Sequence, residues 1–431
     1  YNPNEWKLDE FNIQNLELLW NNYAPCTINT GPTVVDGIVY YGHYCGEFRA
    51  VDAVTGEIIW KQGITRTETG HSVVNGIVYV SATCTGDTCG MVYAFDAYTG
   101  DPIWTWDPRE KQPIDLVVAD NVVYVTVQAG RSPLNLVALD AETGAMVWRN
   151  RKGGMVAIDN GLLYLTGPKN PTLYVLDARK GKLLWEGLVK GSRASRPVVA
   201  HQNVYVHSDD GYLYTFNASG CGDTTCSPLW LGLVPSQTGN NPQPPAVDSN
   251  NLFVGAGNSF YGFDANGCGE YECAALWRTA TACQYFPGRK TPPSVANGIV
   301  YSPCGSNFIY AFDSSSGDIL WQYFTSGGYE MRASPAIAEG RLYHAATFNF
   351  NLSAFEAPIG VFLSPETKTD EVIPGESITY ELILTNNTMQ EDRFLLEITG
   401  NTWATSLSLT ETPILTRGSS LAFTLSVTVP D

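Results

Sequence analysis

The chain has 431 residues, with 43 acidic against 25 basic side chains and a formal net charge of −18. That balance argues against nucleic acid and anionic lipid as partners, because both recognise a basic footprint. No apolar run reaches the ~18 residues needed to insert in a membrane as a helix. An apolar fraction of 44%, with 41 Gly and 25 Pro, indicates a globular chain of many short strands and turns. The start at Tyr1 rather than Met reads as the loss of a targeting segment.

In chain order, residues 1–15 form an N-terminal extension carrying Trp6 and Phe11. It is expected to pack on its own domain or to reach a neighbouring copy by strand addition. Leu16–Trp20 then reads as a lone strand ending in Trp. From there a repeat dominates. Ala-Val-Asp-Ala-Val-Thr-Gly-Glu-Ile-Ile-Trp ends at Trp60, and close variants end at Trp104, Trp148, Trp185 and Trp321. Two longer versions, each with five extra residues, end at Trp230 and Trp277. Upstream of most copies lies a turn and an apolar strand, as in Asp36–Tyr40, Asn75–Tyr79 and Asn297–Tyr301.

Each unit predicts four antiparallel strands. Asp-x-x-Thr-Gly is a tight turn between the third and fourth, with Gly supplying the positive φ. Trp is a large plate in the fourth strand, placed to pack on the next unit. One such sheet cannot bury both faces, so the units stack as blades around an axis. The last unit, ending near Pro358, lacks a Trp strand, and Leu16–Trp20 is the missing one. With Trp20 the series has eight members. The expected fold is therefore all-β: an eight-bladed β-propeller over residues 16–358, closed by an N-terminal strand.

From Val361 the Trp motif and the cysteines stop. Pro374–Asn386, Arg393–Thr399, Thr405–Leu409 and Ser420–Val429 alternate apolar and polar as half-buried strands do. Residues 361–431 predict a small β-sandwich that resembles the immunoglobulin-like repeats of bacterial surface proteins. Such modules occur in tandem, so the native polypeptide is expected to continue past Asp431.

The ten cysteines set the compartment. Cys26 and Cys283 each lie six residues after a repeat Trp, and Cys45 and Cys304 each follow the next Val-Tyr strand. This doubled geometry predicts bridges Cys26–Cys45 and Cys283–Cys304. Cys84/Cys89, Cys221/Cys226 and Cys268/Cys273 form three local loops, two of them inside the five-residue insertions. Zinc ligation fits poorly, since the gap is four residues and no histidine lies beside them. Disulfides imply an oxidising compartment, secreted, periplasmic or cell-surface, and the chain is expected to be secreted, extracellular or at the cell surface. Asn-x-Ser/Thr triplets occur at Asn217, Asn351 and Asn386. Asn217 replaces the motif Asp and is expected to be buried in a turn, and Asn386 is the expected acceptor if the protein is glycosylated.

The Ala-x-Asp-x-x-Thr-Gly-x-x-x-Trp repeat resembles the tryptophan-docking motif of PQQ-like β-propellers. That superfamily includes quinoprotein alcohol dehydrogenases and the non-catalytic scaffold of outer-membrane protein assembly. The resemblance implies the fold more than an activity, because the motif is architectural. A quinone enzyme needs an aromatic floor, a calcium held by carboxylate and amide oxygens, and a catalytic carboxylate. The adjacent-cysteine ring, the long pocket-building insertions and a Cys-x-x-Cys-His haem site are all missing from the sequence. The repeat aspartates, Asp52, Asp96, Asp140, Asp177, Asp264 and Asp313, read as turn caps.

His71-Ser72 lacks a nucleophile elbow. Asp209-Asp210-Gly211 reads as a solvated turn, and His43, His71, His201, His207 and His344 read as separate structural histidines. Arg193 and Arg196, Arg289 and Lys290, and Arg332 fall in inter-blade segments that share one face, and could form a cationic patch there.

The sequence thus predicts a non-catalytic scaffold with no cofactor and no metal. Its expected partners are proteins or copies of itself, as in a surface layer or filament. The alternatives are a PQQ-dependent dehydrogenase and a periplasmic assembly-factor-like propeller.

Overall fold

The computed structural model describes residues 5, 7–67, 70–83, 90–109, 111–128, 134–167, 172–235, 242–281, 291–304, 308–325, 333–346, 350–358, 360–365, 369–388 and 390–430. The chain forms two compact units. One holds Glu5 and Leu18–Phe355, and the other holds Lys7–Glu17 and Glu356–Asp431.

The first unit is the propeller. Among the described residues it contains eight sheets, each built on four antiparallel strands. Blade 1 runs from Thr33–Val35 to Ile58–Gly63, blade 2 from His71–Val74 to Pro102–Trp106, and blade 3 from Gln112–Ala119 to Met146–Asn150. Blade 4 runs from Met155–Asp159 to Leu183–Gly187, and blade 5 from Val198–Ala200 to Trp230–Leu233. Blade 6 runs from Ala246–Val247 to Trp277–Ala280, and blade 7 from Ser294–Ala296 to Ile319–Phe324. Blade 8 joins Ala336–Ala338, Arg341–Ala346 and Asn351–Glu356 to the N-terminal strand Glu17–Tyr23, so the chain closes its own ring. The eight inner strands neighbour one another in ring order, and blade 8 returns to blade 1.

Middle strands are buried on both faces because each face packs on a neighbouring blade; Ile38–His43 is buried throughout. A bulge recurs where the fourth strand meets the third, at Ala50/Val51, Ala94/Phe95, Ala138/Leu139, Val175/Leu176 and Ala311/Phe312. The extra residue re-aims the strand. It turns Trp60 inward while Ile58 and Ile59 stay exposed.

The second unit has one four-stranded sheet in the order Val361–Ser364, Ser377–Asn386, Ser420–Thr428, Ala404–Leu407. Leu384 and Phe423 on its inner face pack with Leu415, Phe394 and Leu396. Arg393–Thr399, expected as a strand, is not a continuous one: it carries the isolated bridge Leu395↔Glu411, and the Leu396 N–H donates to the Thr410 carbonyl at 2.8 Å.

The N-terminal extension also differs from expectation. Residues 7–17 belong to this second unit. Asp9 pairs with Arg417 at 2.7 Å, Arg417 Nη2 donates to the Lys7 carbonyl at 3.1 Å, and Phe11 packs over Gly418. The ion pair and the contact of one face of the Phe11 ring with Gly418 tie the segment to this unit, although the ring remains 45% exposed. Trp6 lies outside the described residues.

Candidate functional site

The recurring chemistry of this chain lies at the blade junctions. In the turn after the third strand of six blades, the motif aspartate accepts backbone hydrogens. Asp52 takes the N–H of Val54 at 2.9 Å and of Thr55 at 2.7 Å, and Asp96 takes those of Tyr98 and Thr99. Asp140, Asp177, Asp264 and Asp313 repeat the arrangement. The Thr55 amide holds Asp52 below the usual carboxylate range, the Thr99 amide does so for Asp96, and the Thr143 side chain for Asp140, because bonds to the carboxylate favour its ionised form. The six repeat aspartates are spent on turns.

The alanine that follows the aspartate is a hub. Its N–H ties its own blade's first turn, as from Ala53 to the Gly37 carbonyl at 2.9 Å. Its carbonyl accepts two side chains of the preceding blade. Ala97 receives Trp60 Nε1 at 2.8 Å and the Tyr40 hydroxyl at 3.0 Å. Ala141 receives Trp104 and Tyr79, Ala178 receives Trp148 and Tyr124, and Ala53 receives Trp20 and Tyr343 across the closing junction.

The motif glycine adopts the left-handed region and forms the floor of each indole. Gly144 has φ 70°, and a Cβ there would sit 2.8 Å from the Trp104 ring. Sequence reasoning found the tryptophans but missed the tyrosines and the hub alanines. The signal was present, since Tyr closes the second-strand motif and Ala follows Asp in copy after copy.

Two junctions depart from this pattern through a cysteine loop. Cys221–Cys226 and Cys268–Cys273 are bridged, and each loop contributes a short strand. Thr225–Cys226 of blade 5 pairs in parallel with Leu183–Gly187 of blade 4. Glu272–Cys273 of blade 6 pairs in parallel with Trp230–Leu233 of blade 5. The loops therefore do more than staple a hairpin: each adds a fifth strand to its neighbour. Trp185 and Trp230 beneath them are each 4% exposed; at plain junctions Trp60 and Trp277 are buried too, while Trp20, Trp104 and Trp148 are half-buried. Their indoles are rotated, with the pyrrole edge over Gly220 and Gly267, and neither Nε1 has an acceptor.

Cys26–Cys45 is also bridged. Cys84, Cys89 and Cys283 and the Cys304 side chain lie outside the described residues, as do Arg289, Lys290 and Arg332. Trp277 docks on blade 7 through the Ser314 carbonyl at 3.0 Å. Trp321 packs edge-on against Phe355 of blade 8 with ring centroids 5.8 Å apart.

Near the axis, a cavity of about 520 Å³ lies among Thr33, Val34, Ser294, Val295, Ala336 and Ile337. Among the described residues its lining carries no carboxylate, carboxamide or aromatic side chain. Asp115 is buried, accepts the Val156 N–H at 3.0 Å and is ion-paired with Arg196, linking blades 3, 4 and 5. Burial pushes its carboxyl up while Arg196 opposes the shift. Arg196 is thus engaged by a carboxylate, and the Arg193 amide donates to Asp209. Among the described residues no His/Cys/Asp/Glu cluster has the makings of a metal site.

The histidines are dispersed. His207 and His344 are buried, and burial pushes both down to about 4. Burial likewise lowers His71 to about 4 and shifts His43 downward. His201 Nε2 meets the Asp248 carbonyl at 2.6 Å.

Asn386 is a correction. It is fully buried, and its Nδ2 donates to the carbonyls of Gln390 at 3.0 Å and Leu415 at 2.8 Å. Both amide hydrogens are committed to holding the strand end, which leaves no room for a glycan. Asn217, expected to be buried, is exposed.

Comparison with known proteins agrees with this architecture. The family profile described as outer membrane protein assembly factor BamB matches residues 10–151 and 134–267, more than half of the chain. The outer membrane protein assembly factor BamB of Yersinia pestis is 27% identical over 206 residues, covering 43% of this chain and 51% of that protein. The chain thus matches about half the length of that relative. The crystal structure of BamB from Moraxella catarrhalis superposes with a TM-score of 0.61 at 14% identity, over 79% of this chain and 99% of that one. A quinohemoprotein alcohol dehydrogenase from Pseudomonas putida HK5 gives 0.63 at 14% identity, over 87% and 80%. At such identities the structural likeness speaks for the fold alone. By the profile match, the chain belongs to the outer membrane protein assembly factor BamB family of PQQ-like repeat propellers.

Proposed function

We propose that this protein is a non-catalytic scaffold outside the cytoplasm, whose propeller makes protein–protein contacts, including contacts with copies of itself in a surface layer or filament. The observation that carries this reading is strand addition within the chain. The outer edges of blades 4 and 5 accept Thr225–Cys226 and Glu272–Cys273 as fifth strands. Main-chain pairing at a blade edge is a general mode of peptide recognition. Other outer strands present exposed apolar pairs such as Ile58 and Ile59, or Met146 and Val147. Carboxylates tied up in turns also favour architecture over catalysis. The disulfides fit an oxidising compartment, and the C-terminal sheet fits a surface-type, immunoglobulin-like module.

The test is sedimentation and negative-stain imaging over a wide concentration range. Ordered assemblies that dissolve in a Met146→Lys/Val147→Lys variant support self-contact; a monomer at every concentration overturns that part. A quinone-type absorbance with substrate-dependent dye reduction, after calcium and PQQ are added, would overturn the non-catalytic part. A periplasmic assembly-factor role is the second reading, favoured by the identity to the Yersinia pestis protein. Localisation of the native protein to the periplasm rather than the cell surface selects it.

A further inference from the structure

Blade 5 carries the one repeat turn in which asparagine stands for aspartate, and it stands there with serine two residues on: Asn217-Ala218-Ser219. The turn works the same way. Asn217 Oδ1 accepts the Ser219 N–H at 2.9 Å, just as Asp264 Oδ1 accepts the Asn266 N–H at 2.8 Å in blade 6. Only the carbonyl half of the carboxamide is used. The other half, Nδ2, is an amide nitrogen on an exposed residue, and Ser219 is exposed beside it. An aspartate-to-asparagine exchange thus keeps the turn and adds an amide nitrogen to an exposed side chain.

We propose that Asn217 is an N-glycosylation site. The donor class is a lipid-pyrophosphate-linked oligosaccharide. Nδ2 attacks C1 of the first sugar, the N–C1 bond forms, and the C1–O bond to pyrophosphate breaks. One Nδ2 proton passes to a base of the transferase, and lipid pyrophosphate leaves. Oδ1 is untouched, so the Ser219 N–H keeps its acceptor and the turn survives modification. The other two triplets lack this arrangement. Asn386 is buried with both amide hydrogens donated. Asn351 is half-buried at the start of a strand, and its partner Ser353 donates its hydroxyl to Asn21 at 2.6 Å. Disulfides place the chain in the kind of compartment where such transferases work.

The experiment is glycopeptide mass spectrometry on protein isolated from its source, with an Asn217→Asp variant as control. The expected result is a sugar mass on Asn217 and none on Asn386. The variant should lose that mass and melt within about 2 °C of the unmodified recombinant chain, because six other repeat turns use aspartate there. Unmodified Asn217 in the native protein, or a glycan on Asn386 instead, overturns the proposal. A large drop in melting temperature for Asn217→Asp would overturn the turn equivalence on which it rests.

Discussion

The plain junctions and the cysteine-loop junctions solve one packing problem in two ways. At a plain junction, such as blade 3 to blade 4, the indole of Trp148 lies on Gly181 and donates to Ala178 at 3.1 Å. At the loop junctions the indole gives up its acceptor and is instead roofed by a strand from the next blade. The receiving turn decides which mode is used. Trp185 sits on a bulged outer strand and Trp230 on an unbulged one, yet both are rotated. Trp277, also on an unbulged strand, docks in the plain manner because blade 7 offers the short turn. The lost hydrogen bond is a small debit against the burial of the ring itself, since a net bond is worth ~1 kcal/mol and a large buried side chain contributes several times that.

Removal of the plate is the harshest way to break the comparison. Trp185→Ala and Trp148→Ala should each cost about 3–5 kcal/mol in denaturant melts, with the roofed Trp185 the more costly. The reverse order would mean the added strand contributes little.

Acid should act on both junction types alike. His207 in blade 5 and His344 in blade 8 have folded values near 4, below the unfolded ~6.5. The unfolded chain therefore binds more protons between those values. Stability is fully present above about pH 6.5 and is lost as pH falls towards 4, by on the order of 3 kcal/mol per histidine. Melting temperature against pH for His344→Gln should show a shallower slope over that window; an unchanged slope would remove His344 as a contributor.

The staple comes next. Cys221→Ser/Cys226→Ser should lower stability by about 2 kcal/mol on chain-entropy grounds, and should raise hydrogen exchange in Leu183–Gly187, whose outer edge it uncovers. Exchange that stays at wild-type level would show the strand holding without its bridge.

The finest test separates the two docking modes directly. Trp148→Phe removes a donated hydrogen bond and should cost ~1 kcal/mol more than Trp185→Phe, whose Nε1 has no acceptor to lose. Equal losses would refute the difference in docking.

Much of the fold was legible because its determinants are local and repeated. Asp-x-x-Thr-Gly encodes its turn within five residues, and the orphan Trp20 announced closure before any coordinate did. The candidate junction was legible in part: Trp and Gly stand out by size and conformation, while Tyr40 and Ala97 look like ordinary strand and turn residues until two blades are brought together. The cysteine loops read as hairpin staples because the strand they pair with lies some forty residues earlier in the chain. Asn386 misled for a related reason, since a polar triplet after a strand looks like a loop tip unless Leu415 is known to lie across it.

The sequence by itself determined the repeat, the number of blades, the closing strand and the local pairs Cys221–Cys226 and Cys268–Cys273. Each follows from spacing and from the backbone preferences of Asp, Gly and Trp. Tertiary structure alone decided which carbonyl meets each indole, which outer edges are covered, that Lys7–Glu17 joins the C-terminal unit, and which asparagine faces water. Burial and hydrogen-bond partnership depend on atoms brought from distant parts of the chain, and no local pattern carries that information.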